Sequence, residues 1–191
     1  MSGNLIVFDA DIQKDFIDPD SEFCVKYTET QLNNINTVLV SALRKDTIIT
    51  GSLYSCKRGF CVEESGGYEK IPETNIVDSE ISYTVANLKH GMDMNLINDS
   101  YQILFEKQTD NIWHDVYGQP DNLGTLLRTE DISTIVIVGV NKNYSIVHLI
   151  QGLKDRRYNV ILVEDAVIGE TYDNIIPNVN IMKTEEVIKL F

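Results

Sequence analysis

The sequence predicts a three-layer α/β/α fold with a mostly parallel sheet, and three observations carry that prediction. Apolar runs and amphipathic stretches alternate from one end of the chain to the other. Within the runs LIVFD and TIVIV, LIVF and IVIV are continuously apolar rather than alternating with polar residues, which suits strands covered on both faces. Two of the runs lead directly into polar turns: LIVFDADIQKDF at 5–16 and STIVIVGVNKNYSIVHLI at 133–150. In an α/β sheet such junctions are where binding and chemistry are placed.

Each element follows from its own pattern. Leu5–Asp9 is short and apolar, a buried strand. Thr30–Leu43 puts Leu32, Ile35, Val38, Leu39 and Leu43 on one face of a helix. Asp46–Leu53 and Tyr101–Phe105 read as strands, the second ending at Glu106-Lys107. Asn122–Arg128 is a short helix. Thr134–Val138 is the most apolar strand and therefore the expected centre of the sheet. Tyr144–Leu153 is the next helix and Asn159–Val163 the strand after it. A strand near Asn180–Met182 and a helix from Thr184, with Glu185 and Glu186 in its first turn, close the chain. The polar stretch Ser55–Ile97 shows little periodicity and contains Gly66-Gly67. A long loop of this kind is either a lid or interface, or plain irregular structure.

The totals narrow the function class. With 191 residues, 43% of them hydrophobic and 24% charged, residues 1–191 read as one domain with a sizeable core. No segment has the length and apolarity of a membrane-spanning helix, and the N-terminal apolar run is too short for a secretory leader. The expectation is a cytoplasmic protein without membrane partners. A net charge of −13 disfavours nucleic acid as a partner, because such a surface repels phosphates. The basic run Lys154-Asp155-Arg156-Arg157 fits a solvated helix C-terminus. Three cysteines, Cys24, Cys56 and Cys61, form no closed disulfide framework and no zinc pattern.

Three polar residues follow apolar strands directly: Asp11, Lys107 and Ser145. A lysine opposite an aspartate in a cleft would be a functional pair, each stabilising the other's charge. The motifs around them resemble those of the isochorismatase-like hydrolases, a family that includes the nicotinamidases. Asp11-Ile12-Gln13-Lys14-Asp15-Phe16 resembles the family's D-x-Q-x-D-F signature, and Asp18-Pro19-Asp20 the turn that follows it. Gly139-Val140-Asn141-Lys142-Asn143-Tyr144-Ser145 resembles its G-[VL]-x-x-x-Y-C turn at identical spacing. Val163-Glu164-Asp165-Ala166 resembles a further fold marker. The resemblance spans nearly the whole chain.

That resemblance implies catalytic roles for Asp11, Lys107 and Ser145. Asp9, two residues earlier on the same strand, competes with Asp11 for the first role. The resemblance also implies a pocket lined by Phe16, Trp113, Val140, Asn141 and Tyr144, a cis peptide at Val140-Asn141, and a homo-oligomer. The chain departs from the pattern twice. Ser145 stands where the family has its nucleophilic cysteine. Ser52-Leu53-Tyr54 stands where nicotinamidases build a metal site from D-x-H and a nearby histidine; the chain's histidines, His90, His114 and His148, have no ligand spacing. No metal or cofactor is therefore expected.

A cysteine thiol ionises near pH ~8.5 and a neighbouring lysine can bring it to thiolate at neutral pH, whereas a serine hydroxyl needs a general base during attack. Three readings stay open. In the first, Asp11 and Lys107 perform acid–base chemistry on a small-molecule substrate without a covalent intermediate. In the second, the chain keeps the fold for binding or assembly without catalysis. In the third, Ser145 is the nucleophile of an amide or ester hydrolase, with backbone N–H groups of its turn as the oxyanion hole.

Overall fold

The protein is described by a computed structural model covering residues 4–74, 84–87, 102–113, 121–141, 143–169 and 179–191. Among these residues the strands form one seven-stranded sheet in which every pairing is parallel. The strands are β1 (Asn4–Ala10), β2 (Ile49–Tyr54), β3 (Thr84–Asn87), β4 (Gln102–Lys107), β5 (Ile132–Val140), β6 (Asn159–Ile168) and β7 (Asn180–Met182), in the spatial order β3-β4-β2-β1-β5-β6-β7. The helices are α1 (Lys14–Ile17), α2 (Glu29–Leu43), α3 (Asn122–Thr129), α4 (Ser145–Asp155) and α5 (Thr184–Val187).

Side-chain alternation along the strands splits the core in two. Ile6 and Phe8 of β1, with Ile135 and Ile137 of β5, face the cluster completed by Leu126 of α3 and Leu149 and Leu153 of α4. Val7 of β1, with Val136 and Val138 of β5, faces the opposite cluster, completed by Ile35, Val38 and Leu39 of α2 and Val187 of α5. Helices thus cover both faces, giving the three layers the pattern predicted. Each fully buried aliphatic side chain contributes about 1.5–3 kcal/mol by leaving water.

Local chemistry sets the element ends. α2 begins one residue earlier than its apolar stripe suggests because Thr28 and Gln31 form a reciprocal cap: Gln31 N donates to Thr28 Oγ1 at 3.2 Å and Thr28 N to Gln31 Oε1 at 2.9 Å. β6 runs five residues past Val163, with a register shift against β5. Its Asp165 takes hydrogen bonds from Thr184 N and Oγ1, both 2.9 Å, and so anchors α5. Arg156 donates to Gly152 O at the end of α4, as a cation at a helix C-terminus should.

The short α1 and β3 are not marked by periodicity. β3 lies inside the polar Ser55–Ile97 stretch. Residues 75–83 and 88–97 of that stretch, along with Tyr101, His90 and His114, lie outside the described residues. No helix among the described residues is long and apolar enough to cross a membrane.

β1 is the switch point of the sheet. Its neighbours are β2 on one side and β5 on the other, so connections leave it in both directions, and the crevice at the carboxyl end of such a strand is where open α/β sheets bind ligands. Gly139 makes the approach possible. Its φ of +124° lies in the left-handed region, and a Cβ there would collide with the Ala10 backbone.

Candidate active site

Asp11 leaves the end of β1 with a left-handed φ of 51°, an uncommon conformation for a non-glycine residue. The turn is held by Asp11 N donating to Ser52 O at 3.0 Å. Lys107 is the last residue of β4, and Ser145 is the first residue of α4. All three side chains are buried. Lys107 Nζ donates to Asp11 Oδ2 and to Ser145 Oγ, each at 2.8 Å. Residues separated by 96 and 38 positions in sequence therefore meet at one ammonium group.

β2 lies between β1 and β4 and supplies two further hydroxyls, those of Ser52 and Tyr54. Ser52 Oγ donates to Asp11 Oδ1 at 2.7 Å. The Tyr54 hydroxyl lies 2.9 Å from Ser145 Oγ and also donates to Asp110 Oδ1. With its own hydrogen directed to Asp110, the phenol oxygen accepts the hydrogen of Ser145. Lys107 Nζ sits 4.0 Å from the centre of the Tyr54 ring. Burial, and then the nearby Asp11 carboxylate, push the Tyr54 phenol well above its ordinary pKa, so it is a neutral hydrogen-bonding group.

Gln13 fixes the end of β2. Its Nε2 donates to Tyr54 O at 2.9 Å and Tyr68 O at 2.8 Å, while Tyr54 N donates to its Oε1 at 2.7 Å. The buried amide thus does for Tyr54 what a further strand neighbour would do.

Asp9, the competitor for Asp11, belongs to a different network. It pairs with Lys70 Nζ and accepts from Gln102 Nε2 at 3.2 Å, with both members of the ion pair almost fully buried. Burial raises the Asp9 carboxyl above its ordinary pKa against the pull of Lys70. Its Oδ1, like Gln102 Oε1, is buried without a hydrogen-bond partner among the described residues.

A cavity of about 260 Å³ opens in front of Asp11 and Ser145. Phe16, Asn141 and Tyr144 border it, as do Tyr54, Phe60 and Asp110. Val140 does not; it is fully buried in the core beside α2. Trp113 lies elsewhere, its Nε1 donating to Leu149 O at 3.3 Å and its ring stacked 3.9 Å from the Arg156 guanidinium. The peptide Val140-Asn141 is cis.

The positions where nicotinamidases carry metal ligands do not fit a metal here. Ser52 and Tyr54 are committed to Asp11, Asp110 and Ser145, and no group of three His, Cys, Asp or Glu side chains could hold an ion among the described residues. His148 is exposed on α4.

No family model matches the sequence, and no curated protein matches it. Solved structures do. An isochorismatase family protein from Desulfovibrio vulgaris superposes with a TM-score of 0.74 at 14% identity, covering 98% of each chain. The fold is that of the isochorismatase-like hydrolases. An isochorismatase-like hydrolase from Alkaliphilus metalliredigens gives 0.72 at 15% identity over 97% of this chain and 98% of the other. N-carbamoylsarcosine amidase from Thermoplasma acidophilum gives 0.71 at 17% identity over 95% and 97%. The isochorismatase-like fold thus extends over nearly the full length of these structures.

Sequence reasoning missed Tyr54 and Asp110 as parts of the site. Tyr54 carried a signal, because it occupies a position where the family pattern has a histidine. Its contact with Ser145, 91 residues away, has no trace in local sequence.

Proposed function

We propose that the protein is a hydrolase of the isochorismatase-like type, acting on a small molecule by Asp11/Lys107 acid–base chemistry without a covalent intermediate. The observation supporting this reading is the placement of Lys107 Nζ, 2.8 Å from both Asp11 Oδ2 and Ser145 Oγ. An ammonium has three donors and no acceptor. It can present a hydrogen to Ser145 but cannot take one away, and the hydrogen of Ser145 is directed to a neutral phenol. Ser145 is therefore a hydrogen-bonding group rather than an activated nucleophile.

Asp11 borders the cavity with its two oxygens oriented by Ser52 and Lys107. Its role is to exchange a proton with the substrate or with an attacking water. Lys107 offsets the charge that Asp11 gains or loses as it does so.

The test is a small-molecule hydrolase screen on wild type, Asp11→Asn and Ser145→Ala. Under the proposal Asp11→Asn abolishes turnover, while Ser145→Ala keeps kcat within about tenfold of wild type, the scale of one hydrogen bond. Loss of a true serine nucleophile costs on the order of a million-fold, and a drop of that size in Ser145→Ala would install the serine-hydrolase reading. Turnover unchanged in Asp11→Asn would overturn the assignment of the acid–base group.

A further inference from the structure

Resting on the reading of this cavity as a substrate site, we infer that its ligand is a small organic cation of the alkylammonium class. Half of the ten residues bordering the cavity are aromatic: Phe16, Phe23, Tyr54, Phe60 and Tyr144. Three of these rings cluster about a fourth, Phe60, whose centroid lies 5.5 Å from Phe16, 5.6 Å from Phe23 and 5.0 Å from Tyr54. Aromatic walls with a carboxylate at their edge attract a desolvated ammonium through the ring quadrupoles and the charge together.

The charge count around the cavity points the same way. Asp11 is neutralised by Lys107, which is not among the bordering residues. The Asp110 carboxylate takes the Tyr54 hydrogen and has no ion-pair partner among the described residues. No lysine, arginine or histidine borders the cavity among those residues. With Lys107 already paired to Asp11, a carboxylate ligand would meet Asp110 with no unpaired cation among the described bordering residues to offset the repulsion, while an ammonium would supply the missing charge. The net charge of −13 adds long-range attraction for cations. At about 260 Å³ the cavity falls just below the ~300–1,000 Å³ usual for drug-sized ligands, which suits a compact molecule.

The test compares two molecules of one shape. Choline and 3,3-dimethylbutan-1-ol differ in a quaternary nitrogen against a quaternary carbon, and benzoate serves as the anionic arm. Binding is measured by calorimetry on the full-length chain. Choline is expected to bind at least about tenfold more tightly than its uncharged isostere, with benzoate weakest. Asp110→Asn and Phe60→Leu should each erode the preference for choline. Asp110 is exposed, so its variant is expected to retain the fold even if Phe60→Leu does not. Equal affinity for the two isosteres, tighter binding of benzoate, or no choline binding at millimolar concentration would each overturn the cation assignment. The acid–base reading stands or falls separately, on the turnover of Asp11→Asn and Ser145→Ala.

Discussion

Ser145 occupies a site with the neighbours of a reactive group and without a reactive atom. It is the first residue of α4, its N-cap Tyr144 supplies no side-chain cap, and Lys107 Nζ lies 2.8 Å from its Oγ. A thiol at a helix N-terminus beside an ammonium has a lowered pKa. Ser145→Cys is therefore expected to react with iodoacetamide at neutral pH at least about tenfold faster than any native thiol, equivalent to one pKa unit or more. The background is favourable. Burial, and then Asp15, push the Cys61 thiol well up; burial, and then Asp18, raise that of Cys24. Mapping the labelled cysteines by mass spectrometry reads the result directly. Labelling no faster than that of Cys56, and insensitive to Lys107→Met, would mean that the cluster is not preorganised and would favour a binding role for the fold.

Among the elements, β1 presents two carboxylates, Asp9 and Asp11, each with its own lysine. Lys107 comes from β4, whereas Lys70 comes from the irregular segment after β2. Removing one partner of a buried pair leaves an uncompensated charge and costs about 3–5 kcal/mol, whereas replacing both with apolar or neutral groups is far cheaper. Urea denaturation of Lys70→Met, Asp9→Asn and the double variant should show the double losing much less than the sum of the singles. Additive losses would show that the two side chains do not act as a pair. The pH dependence has a definite sign. Because burial raises the Asp9 pKa in the folded chain, its contribution to stability is full below the unfolded-state pKa and is lost as pH rises through the folded value. The wild type should therefore lose ground against Asp9→Asn on going from acid to neutral pH.

At the scale of the whole molecule, the layered fold was legible in the sequence because its signals are local. LIVFD and TIVIV read as covered parallel strands since each burial decision lies within a few residues. β3, with only four residues in a polar region, carried no such signal. Asp11, Lys107 and Ser145 were legible as strand-end residues whose motifs matched in spacing. Asp110, the Tyr54–Ser145 contact and the Asp9–Lys70 pair were not, because each depends on a contact between segments that the tertiary fold alone brings together. Trp113 shows the limit of spacing as a guide. A short distance along the chain from Lys107 does not say which way the intervening turn faces, and the indole went to α4 rather than to the cavity.

The segment from Ser55 to Thr74 carries Phe60, the ring at the centre of the cavity wall, and it is fastened along its length. Lys70 is paired with Asp9 of the central strand β1, Tyr68 O is held by Gln13, Lys14 N donates to Glu69 O at 2.8 Å, and Cys61 N donates to Asp15. For this segment to swing away, a buried ion pair and several partly buried hydrogen bonds would have to break together. A wall of that kind keeps time with the whole protein rather than with its ligand. Backbone amide hydrogen exchange at Cys61 should accordingly be as slow as in the centre of β1, opening only when the domain unfolds. Exchange orders of magnitude faster, under conditions where β1 stays protected, would show that the segment moves on its own.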